Sequence, residues 1–467
     1  MDDSELSRIS AFSANLPDNE RSLLDAIAND PGNSELHHRL GAMLHGAGRF
    51  QDALTSFRRA CDLNANSSVS HHNLGIVYAE LSQMSAAEKS FRRAIRIDPQ
   101  YIEAHCNLAG LLNWAGRSEE AIEALGHAVG IHPDSVELRA NFGIALNRVG
   151  RYDEAEKELR FAVQHNPAIV EAHLALGMVY RSLGRIDECV ASYRTAVKVQ
   201  PSAHALCSLG VALYREEDAG ESEAILTRAL SMDAGNWMAL FYLGVIRDIH
   251  GDVDAARDYF ARAASNGGRK HGVVESWDYM KSRRNKSTRQ CRSGFELLSM
   301  AMDAARETGL VLEFGVWNGA SIRFIGNRTK DQVHGFDTFS GLPEAWADEP
   351  AGSNSAQGVL PEVPENVHLH VGLFENTLPG FLDAHDGPIR FMHIDCDSYN
   401  STKSDFDALS HRVVPGTVIV FDEYFMYGDW QEGEFKSFRE AATANGWRYK
   451  YIAFNLYSKQ VAVRIID

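Results

Sequence analysis

The chain has 467 residues, 45% hydrophobic and 23% charged, which is too long for one core and well supplied with material for two or three. Its formal net charge of −17 argues against nucleic acid as a main partner, because an acidic surface repels a phosphate backbone. The six cysteines (61, 106, 189, 207, 291 and 396) make no C-x-x-C pair and no zinc spacing, and no stretch is apolar and long enough to span a bilayer, so a reduced, cytoplasmic protein without a membrane span is expected.

Residues 1–33 read as an N-terminal cap region, with one helix over about 17–33. From residue 34 a period appears. Pro99, Pro133, Pro167 and Pro201 stand 34 residues apart. The pairs Leu40-Gly41, Leu74-Gly75, Leu108-Ala109, Phe142-Gly143, Leu176-Gly177, Leu209-Gly210 and Leu243-Gly244 keep the same interval, with one residue dropped before Leu209. Small residues follow in phase, at Ala53, Ala87, Ala121, Ala155, Cys189, Ser222 and Ala256, and again from Ala60 to Ala263. Small residues at fixed places let two antiparallel helices approach closely, and proline ends the second helix before the next unit. One such unit cannot bury its apolar face alone, whereas seven stacked units can. The pattern, over residues 34–268, resembles the tetratricopeptide repeat, which implies an α-solenoid with a concave face for a protein or peptide partner.

Asn73, Asn107 and Asn141 precede the Leu-Gly position in three successive repeats. Stacked at one repeat interval, they either bond the backbone of an extended peptide or satisfy local polar groups. In the first case they resemble the asparagine ladder of the O-linked N-acetylglucosamine transferases. His37, His71, His105 and His173 also share one repeat position and read as packing residues, since imidazoles a repeat apart lie too far from each other to share a metal.

The period stops near Gly268. Residues 269–292 carry eight Lys/Arg against two acids, Glu275 and Asp278. They read as a basic linker: a solvated connector, or a segment that steers an anionic substrate or docks on the acidic repeats. Trp277 and Met280 fall on one face if the stretch is helical, which predicts that part of it packs against a domain.

Residues 293–467 alternate helix with short apolar strand. A helix is predicted over Phe295–Thr308, and strands over Val311–Phe314, Val333–Phe336, Val367–Val371, Arg390–Ile394, Thr417–Phe421, Arg448–Ala453 and Gln460–Ile465. This is the pattern of a mainly parallel, doubly wound α/β sheet, whose ligands bind at the carboxyl ends of the strands. The motifs fall at such ends. Leaving the first strand is Glu313-Phe-Gly315-Val-Trp317-Asn-Gly319-Ala-Ser321, a glycine turn that can bring backbone N–H groups close to a ligand. Trp317 stands where a dinucleotide fingerprint has its second glycine, which disfavours a nicotinamide dehydrogenase. Asp337, followed by Thr338, lies 22 residues after Gly315 at the end of the second strand, where a carboxylate can accept both ribose hydroxyls of a nucleoside.

Asp395 and Asp397 in His393-Ile-Asp-Cys-Asp-Ser-Tyr-Asn-Ser-Thr-Lys403, and Asp422 and Glu423 in Val420-Phe-Asp-Glu-Tyr-Phe425, end the fourth and fifth strands. Four carboxylates converging on one cleft repel unless a hard cation neutralises them, and Mg²⁺ is the natural candidate. The alternative is that Asp397 and Glu423 cap the helices that follow. Trp346, Tyr399, Tyr424, Tyr427 and Trp430 are candidates for lining a sugar or aromatic pocket, or for plain core. Residues 344–365, rich in Pro, Gly, Ser and acids, read as a flap over the substrate.

Taken in order, E-F-G-V-W-N-G, G-F-D-T-F-S-G-L-P, G-L-F-E-N-T-L-P, H-I-D-C-D-S-Y-N-S-T-K and P-G-T-V-I-V-F-D-E-Y resemble the macrocin O-methyltransferase type of class I S-adenosylmethionine-dependent methyltransferases, over about residues 291–467. The resemblance implies a Rossmann-like fold with S-adenosylmethionine as cofactor, bordered at the adenine by Gly372, Leu373 and Phe374. It implies Mg²⁺ held by Asp395, Asp422 and Glu423, with Asp397 close by, although Glu423 replaces the aspartate of the macrolide-sugar enzymes. The expected activity is methyl transfer to a hydroxyl of a sugar-containing or other natural product, with Asp395 and Asp397 as catalytic candidates. The rivals are a peptide- or protein-modifying methyltransferase whose repeats deliver the substrate, and an interaction scaffold with a degenerate transferase domain.

Overall fold

Helices follow the 34-residue period. The computed structural model describes residues 17–265, 269–343, 352, 355–356 and 358–467. After α1 (Asp18–Asn29) come α2 (Ser34–Gly46), α3 (Phe50–Leu63), α4 (Ser68–Glu80), α5 (Met84–Ile97), α6 (Ile102–Trp114), α7 (Ser118–Ile131) and α8 (Val136–Arg148). They continue as α9 (Tyr152–His165), α10 (Val170–Ser182), α11 (Ile186–Val199), α12 (Ala203–Leu213), α13 (Gly220–Met232), α14 (Trp237–Ile249), α15 (Val253–Ser265) and α16 (Arg269–Arg283). This is a tetratricopeptide solenoid, and a mixed α/β sheet domain follows it.

The chain packs as two compact units. One runs to Val149 and includes Lys157–Asn166; the other holds Gly150–Glu156 and Pro167–Asp467. In the first unit the periodic alanines at 53, 60, 87, 94, 121 and 128 are fully buried. The glycine of each Leu-Gly pair is a steric necessity. A Cβ on Gly41 would lie 2.9 Å from Phe57, and one on Gly75 2.6 Å from Phe91, so each glycine admits the ring of the next helix. The periodic histidines close the turn before their helix, with His37, His71 and His105 Nε2 at 3.2, 3.2 and 3.0 Å from the carbonyls of Pro31, Ala65 and Pro99. At the same register Arg139 Nε donates to Pro133 O at 2.6 Å. The asparagines are engaged with the preceding repeat: Asn73 Nδ2 with His38 Nε2 at 3.5 Å, Asn107 Nδ2 with His72 Nε2 at 2.8 Å, and Asn141 with Cys106. Their amides therefore meet local polar groups.

In the second unit the last repeats and the sheet share one core. Leu206, Leu240, Trp277, Phe314, Phe421 and Phe454 belong to a single buried cluster. The basic stretch after residue 268 is therefore not a solvated connector in its first half. It forms α16, whose Trp277 and Met280 are fully buried. Trp277 Nε1 donates to Asp248 at 2.9 Å, and Met426 N donates to Ser276 Oγ at 3.1 Å. The apolar face of α16 outweighs the solvation of its polar side, where Lys281 and Arg283 are exposed.

The sheet follows as β1 (Arg289–Gln290), α17 (Gly294–Ala304), β2 (Leu310–Phe314), α18 (Ala320–Arg328), β3 (Val333–Asp337), β4 (Val367–Val371), α19 (Phe374–Ala384), β5 (Ile389–Ile394), α20 (Tyr399–Leu409), β6 (Val413–Phe421), α21 (Glu434–Ala444), β7 (Tyr449–Phe454) and β8 (Val461–Ile465). Strand order is β1-β7-β8-β6-β5-β2-β3-β4. Every pairing is parallel except those of β8, which runs antiparallel to β6 and β7. The two-residue β1 escaped the sequence reading because it lies in the basic stretch, and β6 starts four residues early because Pro415-Gly416 reads as a turn. Chain order reverses across β2, which lies between β5 and β3, so a crevice opens at the carboxyl ends of these strands. Half of the flap expected over 344–365, Trp346 included, lies outside the described residues.

Candidate active site

The loop after β2 is pressed onto the end of β5. Gly315 has φ +85°, and a Cβ there would lie 1.7 Å from the Asp395 carbonyl oxygen, so no other residue fits. Asp337, at the end of β3, holds this loop from the other side. Its Oδ2 accepts from Val316 N and Trp317 N, both at 2.7 Å, and its Oδ1 accepts from Phe339 N at 2.6 Å. Thr338 Oγ1 in turn donates to Gly341 O at 3.2 Å.

Beneath the loop is a buried ionic chain. Glu313 is fully buried and accepts from Ser321 Oγ. His393, 1% exposed, stands with Nδ1 3.4 Å from Glu313 Oε1 and Nε2 3.7 Å from Asp422 Oδ1. Burial opposes charging of the imidazole, but Asp422 and Glu313 outweigh it and raise its pKa to about 10. Burial, aided by the Asp422 charge, holds the Asp395 carboxyl well above the ordinary carboxylate range, with His393 pulling the other way. Asp422 accepts from Gln460 Nε2. Glu423 is held by Lys459 Nζ at 3.0 and 2.8 Å, and burial still lifts its carboxyl to about 8.

Ligand atoms of His393, Asp395 and Asp422 all lie within 4.8 Å of one another, the one such group among the described residues. It differs from the expected Asp395, Asp422, Glu423 set: His393 enters it, and Lys459 draws Glu423 away. The capping alternative also fails, since Ser398 caps α20 by accepting from Ser401 N at 3.1 Å and Gly433 occupies the N-cap of α21.

These groups border a cavity of about 640 Å³. Gly315, Trp317, Ser321, Asp337, Thr338, Leu373, Phe374, Asp395, Asp397, Asp422 and Glu423 line it. Glu313, Gly319 and Gly372 do not. Glu313 lies under the floor, Gly319 begins α18 at φ +79° with Pro361 against it, and Gly372 turns the chain at φ +139°. The aromatic candidates are elsewhere: Tyr424 and Trp430 are core, Tyr399 bonds Glu440 at 2.7 Å, and Tyr427 reaches Trp430 O at 3.5 Å. Five non-glycine residues adopt left-handed backbone in the strand-end loops: Trp317, Phe339, Asp397, Met426 and Lys459. Each costs on the order of 1–2 kcal/mol, a strain that collects at functional sites.

Several lining residues had no motif to announce them. His393 sits inside a quoted motif, and its role emerges only from its two carboxylate neighbours. Tyr152, Arg181 and Ser182 come from repeat helices, and Tyr457 and Gln460 from the β7–β8 connection. One repeat turn lies against the glycine loop of the site. Gly150 has φ +72°, and a Cβ there would meet Asn318 Nδ2 at 2.0 Å and Trp317 at 2.8 Å. Gly116, the same turn one repeat earlier, has φ +73° and nothing within 4 Å. Both Gly→Ala changes should lose about 1–2 kcal/mol of stability for left-handed backbone. Only Gly150→Ala should also displace Trp317 and weaken adenosyl-ligand binding several-fold by calorimetry. Equal affinities in the two variants would show that the turn does not support the loop.

Residues 312–424 match a methyltransferase-domain family. Tetratricopeptide-repeat families match residues 15–68, 141–204, 184–236 and 207–269, and residues 78–141. A curated relative, the 8-demethyl-8-(2,3-dimethoxy-alpha-L-rhamnosyl)-tetracenomycin-C 4'-O-methyltransferase of Streptomyces olivaceus, is 30% identical over 143 residues, 25% of this chain and 53% of that protein. The chain thus spans about half the length of this relative. Among solved structures, a tetratricopeptide repeat protein from Parabacteroides merdae aligns at 17% identity and TM-score 0.43, over 52% of this chain and 96% of that one. A thermophilic repeat protein from Thermus thermophilus aligns at 25% identity and TM-score 0.33, over 39% and 99%. Among the described residues no helix is long and apolar enough to cross a membrane.

Proposed function

We propose that this chain transfers a methyl group from S-adenosylmethionine to a hydroxyl oxygen of a sugar-containing or other natural-product acceptor. The observation that carries this reading is a single crevice at the strand reversal. It joins the glycine loop clasped by Asp337 to the His393, Asp395, Asp422 group. The methyltransferase-domain match covers both halves of that crevice, and the relative's name, with its rhamnosyl group and 4'-O position, supports an oxygen of a sugar.

When bound, S-adenosylmethionine supplies an electrophilic methyl on its sulfonium. The donor fits the residues present: Gly315, Val316 and Trp317 line the cavity after β2, and Asp337 lines it at the end of β3. The protein's share is to hold donor and acceptor in line and to remove the hydroxyl proton. Asp395 lines the cavity beside Asp422 and His393, placed to take the proton of the acceptor hydroxyl as a general base.

Asp395 and Asp422 also fit a hard cation, because Mg²⁺ keeps several waters and needs only one or two protein carboxylates. It would acidify the acceptor hydroxyl. Glu423 fits such a site less well while Lys459 holds both of its oxygens. Under this reading a chelator abolishes turnover and added Mg²⁺ restores it, in an assay with labelled donor and fractionated acceptors. Full activity in metal-free protein would leave Asp395 to act unaided. Absence of S-adenosylmethionine binding in calorimetry would sink the methyltransferase reading itself. Within the methyltransferase reading, the repeats of the first unit recruit the acceptor or a protein partner.

A further inference from the structure

Most half-buried arginines of the repeats have an acid beside them. Arg117 bonds Glu88 and Glu120, Arg185 bonds Glu156 and Glu188, and Arg139 bonds Glu158. Arg181, at the end of α10, is more deeply buried than any of these, at 8% exposure, and among the described residues no carboxylate lies within 4.0 Å of it. Its Nη2 donates to Ser208 O at 3.2 Å, and its guanidinium lies over the Tyr457 ring at 3.9 Å and near Tyr193 at 5.3 Å. Arg292 is a second case. Its Nη2 donates to Ala212 O at 3.3 Å, while its Nε is buried without a hydrogen-bond partner among the described residues. Both side chains line the cavity, and both act on the same thiol, that of Cys189, opposing the upward push of burial.

A buried cation without an ion-pair partner, as at Arg181, is costly, and Arg presents a planar fork that matches a carboxylate in two-point fashion. We propose that Arg181 and Arg292 form an anion-receiving corner of the cavity, and that the methyl acceptor bears a carboxylate which docks there. This rests on the methyltransferase reading and deepens it by naming a substrate class.

The corner lies on the acceptor's side. Tyr457, on which Arg181 stacks, belongs to the β7–β8 connection, and β6, β5 and β2 separate β8 from the Asp337 strand β3. Four strand spacings of about 4.8 Å put roughly 19 Å between those two strands. The donor carries a carboxylate of its own at its methionine end, so the two sources must be separated by experiment.

S-adenosylhomocysteine, which has that carboxylate, and 5′-methylthioadenosine, which lacks it, would be titrated by calorimetry into the full chain, Arg181→Gln and Arg292→Gln. D-glucuronate and D-glucose would then be titrated into protein saturated with S-adenosylhomocysteine. The expected result is unchanged affinity for both adenosyl ligands, and glucuronate binding that falls at least tenfold in either variant with glucose unaffected. A tenfold loss for S-adenosylhomocysteine alone would assign the arginines to the donor and overturn the proposal. Glucuronate binding no better than glucose in the native chain, or binding insensitive to both substitutions, would also overturn it. Arg292 is only half-buried, so its variant carries the test if Arg181→Gln does not fold. Native protein that binds neither adenosyl ligand would instead refute the methyltransferase reading, a result distinct from every outcome above.

Discussion

Asp395→Asn is expected to lower kcat by about 10²–10⁴-fold, the usual worth of a positioned proton acceptor, while S-adenosylmethionine still binds. The amide preserves the shape of the side chain but neither takes up a proton nor offers a second anionic oxygen. The backbone at this position is independently fixed, with Asp395 N donating to Phe314 O at 2.8 Å, so the end of β5 should not move. Asp422→Asn should follow the same direction and would also free His393 from one of its two carboxylates. The check is a pair of measurements on each variant: single-turnover transfer with labelled donor, and calorimetric donor affinity. A loss of affinity matching the loss of rate would mean that Asp395 is chiefly a binding residue.

Asp337→Ala should weaken donor binding by about 2–4 kcal/mol, roughly 30- to 700-fold, since hydrogen bonds to a charged group are worth about 1.5–3 kcal/mol each. The carboxylate already accepts three backbone N–H groups from two loops. Its removal leaves those donors unpaired and releases the Gly315–Ser321 turn as well as any ribose contact. The variant should therefore also melt earlier than the native chain without ligand. Asp337→Asn, which keeps one acceptor oxygen, should retain part of both properties. Undiminished affinity in a folded Asp337→Ala protein would move the nucleoside away from the end of β3.

The repeat and the sheet were legible in the sequence for different reasons. Seven copies of a 34-residue pattern average out local noise, so Leu-Gly pairs and in-phase alanines suffice to place every helix pair. The sheet was legible because each strand is an apolar run ending in a motif. The Asp337 and Asp395 loops were found for that reason. What escaped reading are features fixed by packing between distant segments. Nothing near Trp277 says that α16 is covered by Phe454, and nothing in the α10 sequence says that Arg181 reaches the β7–β8 connection. Lys459 was equally silent: a lone lysine before the last strand gives no sign that it holds Glu423 and changes which acids can share a cation.

The position of β8 has a further consequence, for biosynthesis. It is the last strand of the sequence, yet it lies inside the sheet, between β6 and β7. During translation the repeats of the second unit leave the ribosome well before Phe454, Val461 and Val463, with which they share a core. At about 5–20 residues per second, the stretch from Leu206 to Ile465 takes on the order of 10–50 s to appear. Over that interval the β6 edge and the apolar side of α16 lack their partners. A nascent chain stalled before Tyr449 should therefore recruit chaperones, whereas one stalled before Val149, holding only neighbour-packed repeats, should not.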